Sequence, residues 1–208
     1  MLNNFILLGI LHLVVSFYFP ESQIGSLATK GLPILLLILY LSKKIGIHSH
    51  LKKFIFFGLF FSLIGDYLLI FPEYFVFGLG SFLFGHIFYI IGFSKGASVS
   101  VIKSIPIFLV GGGLFYIMYP GLGAMKIPVL FYIITISTMV WRAFSRSNVN
   151  RNSYLAGVFG ACIFFISDSL IGIDKFYSHI FSTSVQKFLV MTTYYIGQFL
   201  IYKAAEKE

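Results

Sequence analysis

Eight runs of apolar residues, separated by short polar breaks, fall at about residues 3–19, 31–42, 54–71, 75–94, 101–119, 126–141, 154–172 and 185–202. A bilayer core is crossed by about 20 residues of helix rising about 1.5 Å each, and inside hydrocarbon an isolated segment must satisfy its own backbone N–H and C=O groups. Runs of this length predict helices. The expectation is an all-α, polytopic membrane bundle of eight transmembrane helices, a single integral membrane domain over residues 1–208. The run at 31–42 is the shortest and needs Ala28 and Thr29 below it, or a tilt, to cross. Composition agrees: a chain 58% hydrophobic and 11% charged, with a mean hydropathy of +0.93, has too little polar surface to coat a water-soluble globule.

The formal charge of +8 sits on Lys and Arg residues that punctuate the apolar runs and form no continuous basic face, so nucleic acid is not an expected partner. Counted by alternate loops, one side holds Lys43, Lys44, Lys52, Lys53, Lys95, Lys103, Arg142, Arg146, Arg151, Lys203 and Lys207; the other holds Lys30, Lys126, Lys175 and Lys187. Eleven against four places the N- and C-termini in the cytoplasm by the positive-inside rule. The first run lacks a basic n-region and a small-residue cleavage site, which predicts a retained helix. A single cysteine, Cys162, excludes an intrachain disulfide. Loops are short, so chemistry is expected inside the membrane. Lys30-Gly-Leu-Pro33 leading to Gly65-Asp66 echoes Lys126-Ile-Pro128 leading to Ser167-Asp168, which suggests a parallel four-plus-four repeat.

Asp66 and Asp168 each lie well inside an apolar run, where a carboxylate costs several kcal/mol unless paired, protonated or wet. The bland alternative is satisfaction by a neighbouring hydroxyl such as Ser62 or Ser169. Twelve steps from Phe54 and fourteen from Tyr154 put the two carboxyls about 18 Å and about 21 Å from the same cytoplasmic edge. That matched depth lies about 10 Å beneath the outer boundary of a core about 30 Å thick, near the level of a phospholipid's glycerol linkage. Two neighbouring buried carboxyls do not both ionise cheaply, which supplies an acid and a base at neutral pH.

Other polar groups in the apolar runs are Lys30, expected at the outer start of the second helix, where it pairs with an aspartate, holds a lipid phosphate or simply snorkels. His86 and Tyr89 share a face of the fourth helix, and Gln198 lies one turn beyond Tyr194 on the eighth. Gly111-Gly112-Gly113 reads as a close-packing or kinking element of a helix. His12, His86 and His179 show no His-x3-His pair or acidic cluster, so no metal ligand is assigned and no cofactor is expected.

In order along the chain, Lys30-x-Leu32-Pro33, Gly65-Asp66-x-Leu68-Leu69, Gly85-His86-x-x-Tyr89, Ser167-Asp168 and Met191-Thr192-Thr193-Tyr194-Tyr195-x-x-Gln198 resemble the YhhN family of eight-span membrane proteins. The resemblance implies hydrolysis of the vinyl ether of lysoplasmalogens to a fatty aldehyde and glycerophosphocholine or glycerophosphoethanolamine. It also implies essential roles for Asp66 and Asp168. The substrate-binding candidates are Lys30 for the phosphate, Tyr195 and His86 to orient the pair or its water, with Tyr89, Tyr194 and Gln198 around them. Expected partners are a lysophospholipid and membrane lipids, in a bacterial plasma membrane crossed many times. Two rivals stay open at this point: a carrier or channel using the same aspartates as a proton or cation relay, and a metal-dependent lipid amidase or esterase.

Overall fold

The structure, a computed structural model, describes every residue except Val99, and of Lys44 and Ile45 only the backbone, so the side chain of Lys44 counted above lies outside the described residues. Among the described residues the chain is helical, with one isolated antiparallel bridge between Ala97 and Arg146. The helices are α1 (Leu2–Tyr18), α2 (Gln23–Thr29), α3 (Leu32–Leu39), α4 (His50–Leu68), α5 (Phe75–Ser94), α6 (Val101–Met118), α7 (Lys126–Phe144), α8 (Arg151–Phe176) and α9 (Thr183–Glu206).

The second apolar run is longer than its hydropathy suggests. Ser22 accepts the backbone N–H of Gly25 in its side chain and starts α2 at Gln23, and a π-helical turn over Tyr40–Ile45 prolongs α3. Lys30 therefore lies at the junction of α2 and α3, inside one helical segment and not at its start. The junction has a cause in the sequence: Pro33 has no N–H to offer the carbonyl four residues back, so the ladder breaks across Lys30-Gly31.

Five segments, Gln23–Lys43, Pro72–Ser94, Val101–Gly121, Gly123–Phe144 and Arg151–Phe176, are long and apolar enough to cross a membrane. The protein is an integral, multi-pass membrane protein. α1 is apolar but shorter, at 17 residues. α4 carries Lys52, Lys53 and Asp66, and α9 carries Gln186, Lys187, Gln198 and Lys203; of these Asp66, Gln186 and Gln198 are buried in the bundle, while Lys53 is exposed near the start of α4.

Two closely packed helix pairs, α4 with α5 and α8 with α9, form the centre, and α7 packs against α5, α6 and α8. α9 also touches α1, α3 and α4, which makes it the most enclosed element. The α8–α9 seam depends on glycine: a Cβ on Gly160 would lie 2.8 Å from the backbone nitrogen of Ile201, and one on Gly197 would lie 3.0 Å from that of Phe164. α6 is outermost, burying only Gly111 and Met118 among its residues while Ile102, Leu109 and Tyr116 stand exposed, as lipid-facing residues do. Gly111 is the close-packing member of its triplet, with Ser137 of α7 in the space a Cβ would need, whereas Gly112 and Gly113 face open space.

Candidate active site

Asp66, near the end of α4, is buried with 2% of its side chain exposed. Its Oδ2 accepts a hydrogen bond of 2.7 Å from the Tyr194 hydroxyl of α9, and its Oδ1 lies 3.9 Å from Lys30 Nζ. Ser62, the hydroxyl one turn away in sequence, makes no hydrogen bond to it. The break between α2 and α3 is what brings Lys30 here, and Tyr195 secures it: its hydroxyl donates to the Lys30 carbonyl at 2.7 Å. Tyr195 thus reaches the backbone of Lys30 and not a carboxyl. One turn beyond Tyr194 on α9, Gln198 accepts 2.6 Å at its Oε1 from the Tyr89 hydroxyl, while its Nε2 makes no hydrogen bond.

Asp168, on α8, has a separate set of partners. Its Oδ2 is 3.0 Å from His86 Nε2 and accepts the Tyr132 hydroxyl of α7 at 2.5 Å. Tyr132 also lies 3.0 Å from His86 Nε2, closing a three-membered cluster. Ser169 bonds back to the carbonyl of Phe165, so it too leaves its aspartate to partners from other helices. His86 and Tyr89, which share a face of α5, take different partners, the first Asp168 and the second Gln198.

The two carboxyl networks meet at one ring. Phe164 packs edge-on against Tyr194, with centroids 5.4 Å apart, and against His86, at 4.8 Å. Asp66 and Asp168 lie within electrostatic reach of each other, yet each keeps its own hydrogen-bond donors.

Two adjoining cavities open nearby; Asp168 lines one, and Asp66 lines neither but lies behind Lys30, which lines the other. A polar one of about 420 Å³ is lined by His12, Ser16, Glu21, Lys30, Asp174 and Lys187, at the bundle end where α1, α4 and α8 finish and α9 begins. A narrow apolar one of about 60 Å³ is lined by Phe82, Met118, Tyr132, Ile133, Phe165 and Asp168. Leu69, Phe75 and Ile171 are walls of both. His12 is held within α1 and α2, its ring nitrogens 2.9 Å from the Ser16 hydroxyl and 2.8 Å from that of Thr29. His179 lies in the exposed α8–α9 connection against Asp174, at 3.0 Å. Among the described residues no three His, Cys, Asp or Glu side chains cluster as metal ligands.

Tyr132 is the site residue that sequence reasoning missed. A signal was available: it lies six residues into α7 and Asp168 eight residues before the end of α8, about 9 Å and about 12 Å from the same side. Thirteen tyrosines in the chain dilute that signal.

The chain is similar to known proteins over most of its length. Human lysoplasmalogenase TMEM86A is 36% identical over 155 residues, which cover 71% of this chain and 62% of that protein. Human lysoplasmalogenase TMEM86B is 27% identical over 188 residues, 88% of this chain and 77% of that protein. A lysoplasmalogenase of Mycobacterium tuberculosis is 35% identical over 130 residues, 57% of this chain and 48% of that protein. The match thus spans less than two thirds of TMEM86A. No solved structure matches the chain significantly. The sequence pattern of the YhhN family matches residues 25–205, a stretch that contains both carboxyl networks, and the chain belongs to that family.

Proposed function

We propose that the protein hydrolyses the vinyl ether bond of lysoplasmalogens with Asp66 and Asp168 as its working carboxyls, Asp168 passing the protons and Asp66 favouring the cation. The observation that carries this reading is the placement of two buried carboxyls, each held by a tyrosine hydroxyl from another helix, with Asp168 in the wall of an apolar cavity and Asp66 behind Lys30, which lines an adjoining polar one. The relatives named lysoplasmalogenase support the same chemistry.

A vinyl ether resists base and opens under acid. Protonation of its β-carbon gives an oxocarbenium ion, water adds to the α-carbon as a carboxylate takes its proton, and the hemiacetal collapses to aldehyde and glycerophospho-alcohol. The polar cavity takes the headgroup with Lys30 on the phosphate, and the apolar cavity takes the first carbons of the alkenyl chain. Asp168 lines the apolar cavity, and both of its hydrogen bonds land on Oδ2, which leaves Oδ1 to meet the vinyl ether. Once it has given its proton, Asp168 is the carboxylate that takes one from the water, and Asp66, which lines neither cavity, favours the developing cation by its charge from beyond Phe164. Tyr194 and Tyr132 hold the two carboxyls, Tyr195 holds Lys30, and Tyr89 with Gln198 braces α9 one turn from Tyr194.

The test is aldehyde release by the purified protein in micelles. Asp66→Asn and Asp168→Asn should each slow it by about a hundredfold or more, with normal extraction and folding. Wild-type turnover in either variant would remove the carboxyl pair from the mechanism.

We further propose that all eight long helical segments cross the membrane as one domain, with α2 and α3 serving as one span and both termini in the cytoplasm of a bacterial cell. The cavities then open towards the outer leaflet. A four-plus-four repeat would relate Asp66 to Asp168; within it Lys126 sits 4.2 Å over the Tyr119 ring, and Tyr132 takes the place at the second aspartate that Lys30 has at the first.

A further inference from the structure

Charges along the 420 Å³ cavity follow an order from floor to mouth. Asp66, 2% exposed, lies behind Lys30, which is 13% exposed and forms the floor. Lys187 of α9 is half-buried in the wall and donates a hydrogen bond to the carbonyl of Pro20. Asp174, at 31%, comes last with two exposed residues, Glu21 and Lys175, the latter holding its ammonium 5.0 Å over the Phe75 ring. The order is therefore carboxylate, ammonium, ammonium, and then a rim of two carboxylates and one ammonium.

Lys30 and Lys187 line the same cavity, so their charges act on each other across it. Two like charges beside one membrane cavity repel strongly where the dielectric is low, and Asp66 is near only one of them. An anion between the two ammonium groups converts that repulsion into two attractions. An ammonium has three N–H donors and Pro20 takes one from Lys187, so Lys187 keeps donors for an incoming oxygen. At the mouth, Asp174 is steadied by His179, and the carboxylates of Asp174 and Glu21 outnumber the single ammonium of Lys175, which is turned over the Phe75 ring, so the rim keeps a net negative charge suited to a cation.

We propose that Lys187 is the second phosphate-binding residue of this cavity, acting with Lys30 on a phosphodiester, and that Glu21 and Asp174 at its rim select a headgroup bearing an amine. The proposal rests on the reading of the cavity as the headgroup end of a lipid-hydrolase site. It adds the residues that set which lysophospholipids enter.

The probe is a saturated 1-O-alkyl-glycerophosphoethanolamine, radiolabelled, which has the headgroup but no vinyl ether. Binding to the full chain in micelles is read by equilibrium gel filtration, so it does not depend on turnover. Lys187→Met should weaken binding about tenfold or more, and Lys187→Arg should keep it within about threefold. A phosphate-free alkylglycerol should bind the wild type and Lys187→Met equally weakly. The double variant Glu21→Gln, Asp174→Asn should erase the preference for this lipid over 1-O-alkyl-glycerophosphoglycerol. Glycerophosphoethanolamine should displace the probe from the wild type well below the concentration at which inorganic phosphate does.

Full affinity in a folded Lys187→Met overturns the assignment, as does tight wild-type binding of the phosphate-free ether. Equal displacement by inorganic phosphate makes this a free-phosphate site and overturns the headgroup selection. Should Lys187→Met fail to fold, Lys187→Arg and the wild-type competition still decide. Selective binding without aldehyde release would count against the hydrolysis reading and leave the headgroup site standing.

Discussion

Each aspartate is kept inside the bundle by a phenol from a distant helix, Tyr194 for Asp66 and Tyr132 for Asp168. A hydrogen bond to a charged group contributes about 1.5–3 kcal/mol, and a carboxyl deprived of it is free to rotate away from its working position. Tyr194→Phe and Tyr132→Phe should therefore each lower kcat by about ten- to a hundredfold while leaving KM close to that of the wild type. A loss confined to KM would show that the phenols contact substrate and do not position the carboxyls. The carboxyls themselves were conspicuous in the sequence because a charge in hydrocarbon is expensive. Tyr132 was not, because a phenol in an apolar run is at home at so many places in a membrane protein.

At the scale of elements, the site is assembled by close approach of helices whose contact points are glycines. Tyr89 of α5 fills the space beside Gly58 of α4 so completely that a Cβ there would lie 2.0 Å from its ring. Gly58→Ala should displace Tyr89, break its bond to Gln198 and loosen Tyr194, lowering both thermal stability and activity. Gly160→Ala presses on the backbone of α9, which cannot rotate away as a side chain can, and should destabilise by about 1–3 kcal/mol, read as a lower thermal midpoint in detergent. An unchanged midpoint would mean that the α8–α9 seam is looser than its geometry. α4 and α9 are less apolar than lipid-spanning helices usually are because they carry buried site residues, Asp66 on α4 and Gln198 on α9, as well as charges near their ends such as Lys53 and Lys203.

For the whole molecule, the proposed eight-span arrangement puts eleven basic residues at one end of the bundle and four at the other, where the cavities lie. A C-terminal green fluorescent protein fusion should fluoresce and a C-terminal alkaline phosphatase fusion should be inactive in bacterial cells, as a cytoplasmic terminus requires. The reverse pattern would turn the cavities towards the cytoplasm and change the leaflet that supplies lipid.

Length, hydropathy and the cost of charge in hydrocarbon were enough to read from the residues an all-helical membrane protein, the approximate position of each long helix, and the two aspartates, Lys30, His86 and Gln198 as groups that needed partners. Those are properties of single residues and single segments. Which donor meets which acceptor depends on how each helix is rotated about its axis, and that is hard to read when lipid-facing and core-facing residues are equally apolar. Only the packed bundle decided that Tyr195 holds the backbone of Lys30, that Tyr132 joins His86 at Asp168, and that the ring of Phe164 stands between the two carboxyl networks.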